Sequence, residues 1–151
     1  MRRPMSGQSM VEFALVAGAF VIILFAAISA AFHSLQRAMA ETAAASGVQV
    51  AASAVAGDPT QADLAGAVAP TEQLLRSVMF STTLDGRPGQ QCLPMDRIPQ
   101  GTLEVCTYPA GPGLVGETVR GHPAYVVPFL AQLLPWSVDV TLVMHQVSYQ
   151  Q

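Results

Sequence analysis

The sequence predicts an α+β protein. A long N-terminal helix, partly transmembrane, leads into a small head with short helices and an antiparallel β-sheet. Three observations predict this. No proline occurs between Ser9 and Ala56, and the residues there are apolar at first and good helix formers afterwards. Beyond Phe80 the chain changes to short β-prone pieces separated by turns rich in Gly and Pro. Residues 137–149 alternate, with Val138, Val140, Leu142 and Met144 on one face and Ser137, Asp139, Thr141 and His145 on the other.

The first element is the helix over residues 8–56. Its apolar run, residues 11–32, contains 22 residues with Glu12 as the only formal charge. At about 1.5 Å per residue it reaches about 33 Å, enough to cross about 30 Å of hydrocarbon. A secretory apolar region is shorter, about 7–15 residues, although small residues around Ala27 and Ala31 leave signal-peptidase removal as an alternative. Arg2 and Arg3 precede the span, so the positive-inside rule keeps the N-terminus cytoplasmic and sends everything after Phe32 outward. Arg37 on the far side is a weaker counter-signal. Past the span the sequence is Ala-rich, with Leu35, Met39, Ala43 and Val50 near one face and Gly47 costing some helicity. So uncharged a helix needs a packing surface, on the head or on partner helices.

Gly57, Asp58 and Pro59 end that helix and start another. Gly57 suits the position past a helix end, Asp58 can cap, Pro59 fits a first turn, and Gln61 completes capping-box spacing. A second helix is expected over residues 59–68, interrupted by Pro70, with a restart over residues 71–80 that buries Leu74, Leu75, Val78 and Met79. Turn signals then fall at Asp85-Gly86, Pro88-Gly89, residues 109–113 and residues 121–123. Residues 102–108 read as a strand, residues 117–120 and 125–127 as weaker ones, and residues 137–149 as the best. Residues 128–135 form a Pro-bounded apolar insert. The organisation expected is a leader over residues 1–7, the helix over 8–56 with its span at 11–32, and an exported head over 57–151.

Composition narrows the function. The net charge is −3, and beyond Phe32 five arginines face nine acids, which argues against a nucleic-acid partner. Cys92 and Cys106 are the only cysteines. In an exported domain such a pair reads as a disulfide, with two free buried thiols as the alternative. No further ligands stand at zinc spacing, and no nucleophile, phosphate-loop or dinucleotide motif occurs. His33, His122 and His145 are scattered and read as surface or interfacial residues. Asp85, Asp96 and Glu104 read as solvated turn carboxylates. No cofactor, metal or small-molecule substrate is therefore expected, and no enzyme activity. Phe129, Leu130, Leu133, Leu134 and Trp136 are either core or a partner surface.

Glu12 carries the sharpest functional reading, because an ionisable group inside an apolar span is costly. Cleavage after Gly7 would place a new amine on Gln8, about 6 Å along the helix from Glu12. Between staggered neighbouring chains an amine and a carboxylate in lipid attract and set a register, since an unpaired buried charge is penalised. The bland alternative is a carboxylate tolerated near the cytoplasmic interface.

The run Gly7-Gln8-Ser9-Met10-Val11-Glu12-Phe13-Ala14-Leu15-Val16 resembles the start of TadE-like pseudopilins of the tight-adherence (Flp-type) pilus system. These open on a short basic leader, then Gly, four residues, Glu, an aromatic and the span. The likeness extends over residues 34–56, more loosely to the two cysteines, and resumes at residues 128–135 and 138–149. It implies a single-pass inner-membrane precursor cut by a prepilin peptidase between Gly7 and Gln8, with Glu12 and Phe13 as the adjacent recognition and assembly residues. A glycine before the cut lets the peptidase approach the backbone. Type IVa and type II secretion precursors favour Phe where this chain has Gln8, which favours the Tad-type resemblance. The implied partners are the prepilin peptidase, other pilins or pseudopilins and the pilus assembly platform. The major Flp pilin is much shorter, so a head of this size implies a minor subunit in assembly, priming or the tip. The rival readings are a signal-anchored periplasmic binding or enzymatic domain, which keeps its N-terminus, and a membrane-retained scaffold of an envelope complex.

Overall fold

The computed structural model describes residues 6–53, 61–124 and 136–145. In chain order these form helix α1 (Ser6–Ser53), helix α2 (Gln61–Val78), strand β1 (Thr83–Pro88), a 3-10 turn (Met95–Arg97), and strands β2 (Thr102–Gly111), β3 (Leu114–His122) and β4 (Val138–His145). The chain divides into two units, Met1–Ser34 and Leu35–Gln151.

In the first unit, α1 is helical from Ser6 onward and exposes an almost unbroken apolar surface, including Val11, Phe13, Phe20, Ile22, Ile23 and Phe32. One helix in the described chain is long and apolar enough to cross a membrane, and it is this one. Its residues are consistent with a single-pass anchor, since backbone groups are satisfied within the helix and apolar side chains point outward all round.

In the second unit, the remainder of α1 and α2 cover one face of a four-stranded sheet ordered β1-β2-β3-β4. The core is built from Ala40, Ala43 and Ala44 of α1, Val68 and Leu75 of α2, Met79 just past it, and Leu103, Val105, Val119, Val138 and Val140 of the sheet. A second cluster joins Ala51, Leu64, Ala67 and Val115. The α+β class and the order of helix then head are as the sequence predicts, and so is the first part of β4: Val138 and Val140 are buried and Leu142 half-buried, with Asp139 and Thr141 exposed, whereas Met144 is exposed rather than buried.

Five other details differ. The sheet is mixed, because β1 runs parallel to β2, with Thr83 opposite Thr102 and Pro88 opposite Thr107. Residues 89–101 form the crossover, about the dozen residues that a parallel connection requires. Asp85-Gly86 therefore lies inside β1 rather than in a turn. Pro70 does not interrupt α2, which runs through it. One missing backbone bond is outweighed by burial on both sides, Leu64, Ala67 and Val68 before it and Thr71, Leu75 and Met79 after. The buried stripe of α1 is Ala40, Ala43, Ala44, Gly47, Val48 and Ala51, whereas Leu35 and Val50 are exposed. Leu74 is also exposed. Small residues, not large ones, mark the close helix-to-sheet contact. The expected strand at 125–127, the insert at 128–135 and residues 54–56 lie outside the described residues.

Candidate functional site

Gly7 and Gln8 lie in the first turns of α1, and Glu12 and Phe13 follow one turn later on exposed positions. Phe13 is 74% exposed within its own chain, so its ring is available to lipid or to a neighbouring protein. The helix continues without a break from this motif into the Ala-rich stretch that packs in the head.

Cys92 and Cys106 form a disulfide with Cα atoms 5.5 Å apart. It pins the β1–β2 crossover onto β2. Glu104 reinforces the same connection: it accepts the Leu93 N–H at 2.7 Å and pairs with Arg87 at 3.0 Å, while Arg87 also holds Asp85. Glu104 is thus buried, contrary to its reading as a solvated turn acid, because cross-strand register sets it beside Asp85 and under the crossover. Cys92, Cys106 and Glu104 come close together, but the sulfurs are bonded to each other and the carboxylate is already committed. A shallow polar cavity of about 150 Å³ opens beside the disulfide, lined by Gln91, Cys92, Tyr108, Thr118, Arg120 and Thr141. Its hydroxyls satisfy one another: Thr118 Oγ1 lies 2.9 Å from Thr141 Oγ1 and 3.4 Å from the Tyr108 hydroxyl.

Both ring nitrogens of His122 stand 3.3 Å from carbonyl oxygens, Trp136 on one side and Met95 on the other. Trp136 is half-buried. Phe129, Leu130, Leu133 and Leu134 lie outside the described residues.

Sequence reasoning missed the node at the centre of the head. Glu117 on β3 is fully buried on the core face, between Val115 and Val119. Thr71 of α2 stands 2.5 Å from Glu117 Oε1 and 3.1 Å from the Ala43 carbonyl of α1. A Cβ built on Gly47 would overlap both Glu117 carboxyl oxygens and Thr71 Oγ1, so only glycine lets α1 approach this closely. Burial pushes the Glu117 carboxyl up to about 8, against a smaller lowering effect of the Thr71 hydrogen bond. The signal was present in the alternation of Val115, Glu117 and Val119: an acid on the apolar face of a strand.

No curated protein and no solved structure matches this chain. The stretch that carries Gly7, Glu12, Phe13 and Gly47, residues 7–49, matches the family model described as TadE-like protein, and over that stretch the chain is similar to TadE-like pilins of the Tad pilus system.

Proposed function

We propose that this protein is a minor pilin or pseudopilin of a Tad-type pilus. It would be inserted in the inner membrane with residues 1–7 cytoplasmic, cut between Gly7 and Gln8 by a prepilin peptidase, and built into an assembly through α1. The observation that carries the reading is the coincidence of three features on one helix: the TadE-like match, the Gly-x4-Glu-aromatic motif and the exposed apolar surface. The TadE-like pilin family is structural rather than enzymatic, so the chain acts as a substrate of the peptidase and as a component of the filament or of its base. Glu12 supplies the partner for the new Gln8 amine of a neighbouring subunit, and Phe13 packs beside it. The head, held rigid by the disulfide, is displayed outward for priming, capping or surface attachment.

The test is the intact mass and N-terminal residue of the membrane-extracted protein, made with and without an active prepilin peptidase. A chain beginning at Gln8 only when the peptidase works supports the proposal. An uncut chain in both strains points to a signal-anchored domain instead. In the cut protein, Glu12→Ala is expected to insert and be processed normally but to be lost from sheared filaments. Normal incorporation of that variant would remove the assembly role of Glu12.

A further inference from the structure

The core face of the sheet carries one acid for which the proposed function has no use. Glu117 Oε2 is buried without a hydrogen-bond partner, and so is Thr107 Oγ1, which sits directly across on β2. The groups facing Glu117 are the Ala43 carbonyl and Gly47 from α1, Thr71 from α2, Thr107 from β2 and Leu142 opposite it on β4. None of these is ionisable. Nearby charges are engaged elsewhere: Glu41 with Arg37, Glu72 with Arg76, Glu104 and Asp85 with Arg87, and Asp139 with Arg120.

The hydrogen-bond inventory distinguishes the two states of Glu117. A threonine hydroxyl has one proton to give and lone pairs to accept. If Glu117 is neutral, its O–H donates to Thr71 Oγ1 and Thr71 donates to the Ala43 carbonyl, so sheet, α2 and α1 are joined in one chain of bonds. If Glu117 is ionised, Thr71 must turn its proton to the carboxylate. The bond to α1 is lost, and an uncompensated charge is left against the Gly47 backbone.

We infer that Glu117 is a protonation latch: as the neutral acid it holds the part of α1 around Ala43 and Gly47 on the sheet, and as the carboxylate it releases that part. The segment released is α1 because its grip is the weakest. It contributes alanines and Val48 to the core, whereas Leu64, Val68 and Leu75 hold α2 and hydrogen-bonded ladders hold the strands. A methyl buries far less apolar area than a leucine side chain. The docked form carries one more proton than the released form between the ordinary carboxyl value of 4.5 and about 8. Docking is therefore strongest at low pH and weakens as pH rises through that window, by up to about tenfold per pH unit. The latch belongs to the head and stands whether or not the chain enters a pilus.

The test is amide hydrogen exchange of the full chain in detergent micelles at about pH 5.5 and about pH 7.5, corrected for intrinsic exchange rates. In the native protein, protection of residues 40–52 is expected to fall about 30- to 100-fold between the two, with β2 and β3 little changed. In Glu117→Gln it is expected to stay flat. Equal protection of residues 40–52 at both pH values, an equal fall in Glu117→Gln, or a uniform fall over every segment overturns the latch. Should Glu117→Gln fail to fold, the infrared band of a protonated carboxylic acid decides the matter, read in a Glu12→Gln background. Its presence at about pH 6 and loss by about pH 9.5 supports the latch, and its absence at about pH 6 overturns it.

Discussion

Gly47→Ala and Gly66→Ala are the same substitution in two helices, and the structure gives them opposite signs. Gly66 lies in α2 on an exposed position, and a Cβ there meets nothing within 4 Å. It should stabilise the head by up to about 1 kcal/mol, the ordinary helix preference of alanine over glycine. Gly47→Ala gains the same preference but drives a methyl into the Glu117 carboxyl and Thr71 Oγ1. Overpacking costs about 1–3 kcal/mol, and displacing the buried hydrogen bond adds about 1–3 kcal/mol. The net expectation is a loss of about 2 kcal/mol, so the two variants should differ by about 3 kcal/mol. Urea unfolding of the full chain in micelles, followed by the fluorescence of Trp136, the single tryptophan, measures both. Truncating the acid supplies the control. In a Glu117→Ala background two of the three close contacts are gone and only Thr71 Oγ1 still meets the methyl, so Gly47→Ala should lose part of its cost, a coupling of about 1 kcal/mol. A Gly47→Ala protein as stable as Gly66→Ala, or one equally destabilised with and without the carboxyl, would refute the docking of α1 on Glu117.

Removing the disulfide by Cys92→Ser with Cys106→Ser frees a loop of sequence separation 14, and should cost about 3 kcal/mol in the same unfolding assay; a loss under about 1 kcal/mol would mean that the Glu104 contacts hold the crossover unaided. Arg87→Ala leaves buried Glu104 with only the Leu93 N–H, and a loss of about 1.5–3 kcal/mol is expected, with Arg87→Lys recovering part of it. A neutral Arg87→Ala would show that the guanidinium contributes nothing net at this site. Thr71→Val keeps the shape but removes the hydroxyl that joins Glu117 to Ala43. It should destabilise by about 1–3 kcal/mol, and unchanged stability would show that the three-way bond is not formed.

The elements were legible where one local signal dominated. The span and the Ala-rich helix follow from composition alone, and β4 follows from the apolar-polar alternation that opens it, over residues 138–142. β1 was not legible. Half of its Thr-Leu-Asp-Gly-Arg-Pro sequence, Asp85, Gly86 and Pro88, is turn-favouring, and as a strand it pairs along the edge of β2, where Arg87 meets Glu104. The passage of α2 through Pro70 was likewise decided by tertiary burial rather than by propensity. The parallel pairing of β1 is a long-range choice, and nothing in either strand's own sequence states it.

The residues proposed to carry function divide in the same way. Gly7, Glu12 and Phe13 were visible because a membrane makes one charge conspicuous among twenty-two residues. Gly47 and Glu117 were hidden because each breaks a local rule that only the other explains. A glycine in a helix interior costs about 1 kcal/mol, and an acid on the apolar face of a strand costs more. Neither fits its own element, yet each removes the other's difficulty: the missing methyl makes room for the carboxyl, and the carboxyl, when neutral, bonds through Thr71 to the helix that carries the glycine. The same small side chains that weaken α1 as a hydrophobic partner allow this contact. A helix faced with leucines would have bound the sheet more tightly and would have left the acid no place. The alanine-rich grip therefore favours a helix whose hold on the head can be set by one proton.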